Sequence, residues 1–110
     1  MMTILRAALV SVCVAVAPGI AFAADTAAGQ AKAKEICQAC HGLDGNSPSA
    51  DYPKLAGQYP DYLAKALRDY KSGARKNPIM AGMAGALTTA DIDNLSAYYA
   101  SQPAVLTRKY

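Results

Sequence analysis

A single histidine, His41, and no tryptophan occur in the 110 residues of this chain. Any metal centre that needs two imidazoles from one chain is therefore excluded by counting. Only one Cys-x-x-Cys spacing is present, Cys37 to Cys40. A structural zinc site takes four protein donors from Cys and His, so it falls short of ligands here. No apolar run approaches the roughly 18 to 20 residues that span a bilayer. No basic run or basic patch interleaved with aromatics marks a nucleic-acid binder. Persuasive strand alternation is missing as well. What remains is a small, helical chain with few specialised side chains.

The first 23 residues look like a secretory signal. Arg6 supplies a positive start, Ala7 to Ala17 a short apolar run, and Ala21-Phe22-Ala23 an A-x-A cleavage site before Ala24. Cys13 sits inside the apolar run, and the bulky Val12 before it argues against a lipid-modified cysteine. Residues 24–110 are then expected to form one exported domain, placed in the periplasm. In that domain the only cysteines are Cys37 and Cys40, the only methionines Met80 and Met83, and every aromatic is Tyr. A chain this short struggles to build a sufficient core and often recruits a metal, a disulfide or another staple. Export also puts its thiols beyond the cytoplasmic reductants. The net charge of +3 falls to about +2 once Arg6 is lost, which says little about partners.

The residues that are there converge on Cys37-Gln38-Ala39-Cys40-His41. This Cys-x-x-Cys-His spacing lets two thiols bond the two vinyl groups of one haem while the next residue ligates its iron. A thioredoxin-like pair would need a βαβ pattern, and the surroundings are Ala/Lys-rich and helical. A plain disulfide across two residues would be strained and would leave His41 unexplained. One covalently bound haem c accounts for all three residues.

Along the domain, the pattern predicts helices from about Thr26 to Cys40, from Pro60 to Gly73, and from Thr88 to Ser101. The first has Ala33, Ile36 and Cys37 on one face with Lys32 and Lys34 exposed, and Gly29 near its start suggests close approach of another backbone. Pro60 suits the first helical position, and Asp61 favours the positive end of the dipole. Leu63, Leu67 and Tyr70 follow at helical spacing. Thr88-Thr89-Ala90-Asp91 is a capping box with Asp in place of Glu, followed by the stripe Ile92, Leu95, Tyr99. Gly42 to Gln58 and Ala74 to Leu87 are expected as loops, and the tail from Gln102 as loose. The fold class expected is all-α, with three main helices around one haem.

Haem iron has two axial positions, and His41 reaches only one of them. His/Met ligation is the arrangement of electron-transfer cytochromes c, so a methionine is the natural second ligand. Met80 is preferred because Pro78 stiffens its approach, with Met83 the alternative. Whichever does not ligate serves as a packing residue.

The stretch Cys37-Gln38-Ala39-Cys40-His41-Gly42-Leu43-Asp44-Gly45-Asn46-Ser47-Pro48 resembles the haem-binding region of class I bacterial cytochromes c. The likeness is greatest to the small monohaem proteins and to single domains of the periplasmic dihaem proteins. Pro53-Lys54-Leu55-Ala56-Gly57-Gln58 with Tyr62-Leu63 is similar to the stretch that follows in that group. Ser72-Gly73-Ala74-Arg75-Lys76-Asn77-Pro78-Ile79-Met80 resembles its methionine loop, and Asp91-Ile92, Leu95 and Tyr98-Tyr99 its last helix. The resemblance covers Gly29 to Gln102 and implies Met80 as the ligand. It further implies that the first and last helices cross near Gly29. The Pro53 carbonyl would accept a hydrogen bond from His41, and Leu55 would pack on the haem.

With both axial positions filled, no site remains for oxygen or a substrate. The expected function is therefore a one-electron carrier, not an enzyme, working as a monomer through an exposed haem edge. Its partners would be redox proteins such as a membrane oxidase, a reductase or a dehydrogenase. Lys34, Lys54, Arg75 and Lys76 are candidates to ring that edge and tune encounter rates. Two alternatives are a haem subunit of a larger oxidoreductase and a gas- or peroxide-reactive site with a displaceable methionine.

Overall fold

A computed structural model describes residues 10–19 and 23–106. About half of the expected leader falls outside the described residues, including Arg6 and most of the Ala21-Phe22-Ala23 site. Residues 10–19 form no helix or strand, and Cys13 there is exposed. No helix among the described residues is long and apolar enough to cross a membrane.

The domain is all-helical, with no strand among the described residues. Its elements are α1 (Thr26–Ile36), α2 (Gln38–His41), α3 (Pro60–Ser72), α4 (Pro78–Gly85) and α5 (Thr89–Ala100). Asp25 caps α1 by accepting from the N–H groups of Ala27 and Ala28. α3 starts with Pro60 at its first turn and stops at Gly73, whose φ of 84° completes a left-handed cap. α5 opens with the expected capping box: Thr88 Oγ1 accepts from Asp91 N–H, and the Asp91 carboxylate accepts from Thr88 N–H.

α1 and α5 pack against each other, and α5 also packs on α3, which in turn meets α4. The α1–α5 crossing lies at Gly29. A Cβ there would sit 2.1 Å from the Asn94 carbonyl oxygen, so only glycine admits the helices this closely. Asn94 Oδ1 accepts from Asp25 N–H at 2.8 Å, tying the start of α1 to the same point. The core is small: Ala33, Leu63, Ala64, Ala84, Leu87, Ile92, Leu95, Tyr98 and Tyr99.

Three expectations are corrected. The first helix does not run unbroken to Cys40; it turns at Cys37 and restarts as the single turn of α2. The segment expected as a loop from Ala74 to Leu87 contains α4. Asn77 caps that helix by accepting from the N–H groups of Ile79 and Met80, and Pro78 occupies its first turn. The tail is not loose through 103–105, where it is hydrogen-bonded to the loop after α2.

Candidate functional site

Two cysteines and the histidine are gathered on one tight turn. Cys37 N–H donates to Ala33 O at the end of α1, and Cys37 O accepts from the N–H groups of Cys40 and His41. Gly42, with φ 79°, then turns the chain away. Cys37 and Cys40 are half-buried free thiols, while His41 is buried, with 7% of its surface exposed. Burial pushes the Cys37 thiol up to about 11, opposed by a hydrogen bond with Tyr99. The group is thus a neutral thiol at ordinary pH.

The loop from 42 to 58 orients the histidine. His41 Nδ1 lies 2.8 Å from Pro53 O, the contact that the family resemblance implies. A carbonyl only accepts, so Nδ1 carries the proton and Nε2 is the nitrogen left with a lone pair for a metal. The ring edge also meets the Tyr52 ring at 6.4 Å between centroids. Ser47 braces both flanks: its N–H donates to His41 O at 2.9 Å, and its hydroxyl lies 2.7 Å from Tyr52 O. It does so at φ 60°, a left-handed conformation that costs a non-glycine residue strain. Gly45 O accepts from Leu55 and Ala56, closing the loop on itself.

α5 holds the same loop from the other side. The Tyr98 hydroxyl donates to Leu43 O at 2.7 Å and the Tyr99 hydroxyl to Gly42 O at 3.2 Å. A Cβ on Gly45 would lie 2.7 Å from the Tyr99 ring, so the loop closes on that ring only with glycine there. In the sequence Tyr99 belongs to an apolar stripe and Tyr98-Tyr99 to a family signature; neither pattern shows that their hydroxyls are tethers or that Ser47 is a brace. A turn-prone Asn-Ser-Pro run was the one available signal for Ser47.

The methionine flank is α4. Met80 is half-buried, whereas Met83 is 42% exposed. Ala84 and Leu87 anchor the segment in the core, and Lys71 Nζ donates to Leu87 O. Leu43, Leu55, Leu67 and Tyr70 pack on the core but stay partly exposed, leaving apolar surface that a flat apolar group could cover. Of the candidate edge cations, Lys34, Lys54, Arg75 and Lys76 are all exposed. Arg75 is engaged locally, lying 4.9 Å above the Tyr70 ring. Lys54 Nζ donates to Val105 O.

The sequence profile of the Cytochrome c family matches residues 26–102. The chain belongs to the cytochrome c family. Cytochrome c4 of Pseudomonas aeruginosa is 52% identical over 85 residues, which cover 76% of this chain and 42% of that protein. Cytochrome c-554(548) of Halomonas halodenitrificans is 42% identical over 83 residues, 73% of this chain and 99% of that one. The crystal structure of reduced recombinant cytochrome c4 from Pseudomonas stutzeri superposes with a TM-score of 0.71 at 43% identity, over 76% of this chain and 48% of that chain. The chain thus spans about two-fifths of the cytochrome c4 sequence and nearly all of the smaller cytochrome c-554(548).

The cofactor of this cytochrome c domain is haem c. The donor set fits it: two thiols three positions apart, an imidazole with Nδ1 already committed, and thioethers on a separate helix.

Proposed function

We propose that this domain is a periplasmic one-electron carrier in which Cys37 and Cys40 take the two thioether links and His41 and Met80 bind the iron. The observation that carries it is the His41 Nδ1–Pro53 O hydrogen bond beside two free thiols. Bound haem supplies a reversible Fe(II)/Fe(III) couple. Everything else is the work of the chain. Pro53 fixes the histidine tautomer and raises its basicity. Met80 contributes a thioether, which favours the ferrous state and a raised potential. Leu55 and its partly exposed neighbours exclude water from the apolar face. No general base is required, and none is assigned.

Residues 1–23 act as the export signal in this reading, and 24–110 as the working monomer. Its partners are redox proteins that meet it briefly. A second role, as the haem subunit of a larger oxidoreductase, is supported by a relative of Chlorobaculum tepidum, 38% identical over 63 residues, that is named the cytochrome subunit of sulfide dehydrogenase.

Holoprotein purified from the periplasm tests the assignment. Its mass should equal the chain from Ala24 plus one haem, and acid–acetone should leave the haem on the polypeptide. Cys37→Ala and Cys40→Ala should each leave little holoprotein. Haem extracted cleanly from the wild type would sink the covalent assignment. Co-purification with a dehydrogenase or oxidase would favour the subunit role.

A further inference from the structure

Beyond α5 the chain doubles back over the loop that carries Pro53. Asn46 Nδ2 donates to Pro103 O at 3.0 Å, and Val105 N–H donates back to Asn46 Oδ1 at 2.7 Å. Lys54 Nζ donates to Val105 O at 2.7 Å. Ala104 closes over the loop between these anchors, where a Cβ on Gly57 would come within 3.1 Å of its own. The stretch matched by the cytochrome c family ends at residue 102, so this strap lies outside it.

We propose that Asn46 and Lys54 are positioning residues that act through this C-terminal strap to hold the Pro53 carbonyl on His41. The inference rests on the reading of His41 as an iron ligand. Two features of the geometry carry it. The strap joins the two flanks of the histidine contact. Asn46 precedes Ser47, which braces His41 O, and Lys54 follows Pro53 directly in the chain. Moreover, Pro53 has no N–H with which to anchor itself, and it is exposed. The direction of its carbonyl is therefore set by its neighbours: Tyr52 is held by Ser47, Leu55 by Gly45, and Lys54 by the strap. A carbonyl free to swing would bind the Nδ1 proton less well, weaken the imidazole as a donor and favour the ferrous state.

The test is solvent exchange of the His41 Nδ1 proton, followed by NMR in the reduced holoprotein, together with the reduction potential. Asn46→Ala removes two of the strap's hydrogen bonds, and its exchange should speed up by about tenfold, the scale of one or two lost hydrogen bonds. Lys54→Met should give a smaller acceleration in the same direction. Both potentials should rise, while core amides of α1 and α5 keep their wild-type exchange. Val105→Pro deletes one donor at a terminus the core does not need, and should behave like a mild Asn46→Ala even if that variant folds poorly. Unchanged exchange in all three variants overturns the proposal, as does acceleration that the core amides share. A wild-type spectrum without histidine ligation would overturn the His41 reading itself and the strap's role with it. Intact ligation with unmoved exchange removes only the strap.

Discussion

On the histidine flank, hydrogen bonds from α5, from Ser47 and from within the loop converge on residues 41–47. On the methionine flank, Met80 sits on α4, held by the Asn77 cap at one end and by Ala84 and Leu87 at the other. Gly82 and Gly85 there face open space. The first flank is shaped by hydrogen bonds from the surrounding chain, which direct the His41 ring. The second is placed mainly by apolar packing, and its thioether has a flexible stem. Under the proposed ligation, the histidine is held by hydrogen bonds and the methionine by apolar packing, so the methionine is the ligand expected to yield first under stress.

The sharpest way to break this contrast is to exchange the roles of the methionines. Met80→Ala should abolish the thioether-to-iron band of the ferric protein, open the iron to carbon monoxide and lower the potential markedly. Met83→Ala should leave the band intact and cost below about 1 kcal/mol, because an exposed side chain forfeits little burial. A band lost with Met83→Ala and kept with Met80→Ala would reverse the assignment. A band indifferent to both would remove methionine ligation altogether.

Gly29 probes what the histidine flank hangs from. Gly29→Ala forces a methyl group against the Asn94 backbone, so the α1–α5 crossing must open. A loss of about 1–3 kcal/mol or more is expected from such overpacking, measured by denaturant unfolding of the holoprotein. A neutral outcome would mean that the crossing is looser than the geometry requires.

Removing one tether should do less. Tyr98→Phe strips the hydroxyl from Leu43 O and should cost about 1 kcal/mol, the usual net worth of one hydrogen bond. Because Tyr99 and Ser47 still brace the loop, the potential should barely move. A large shift in potential with little loss of stability would show that the histidine flank is not over-determined after all.

The smallest effect concerns pH and the helix that follows the methionine flank. The Thr88 backbone N–H holds the Asp91 carboxyl below the usual carboxylate range. A lowered folded pKa stabilises the fold above the ordinary value near 4, and the contribution fades as pH falls through the folded value. Asp91→Asn should thus be less stable than the wild type above pH of about 5, with a flatter acid slope, and the two proteins should converge in strong acid. Equal slopes for both proteins in acid would remove Asp91 from the account.

Much of this protein is determined by local chemistry that sequence displays openly. The Cys-x-x-Cys-His spacing, the Thr88–Asp91 box, and Pro60 and Gly73 at the ends of α3 each carry their cause in a few adjacent residues. Helix α4 belongs with them in principle, since Asn77-Pro78 is a start signal, but the glycine content of 78–85 masked it. Other features depend on groups far apart in the chain. The pairing of His41 with Pro53, the tyrosine hydroxyls on Gly42 and Leu43, and the strap from Asn46 to Val105 span from 12 to 59 positions. Such contacts leave no periodic trace, because a backbone carbonyl accepts equally well from any donor that the fold delivers. Spacing along the chain therefore set which atoms could meet a haem, and the packing of α1 on α5 decided which way those atoms point.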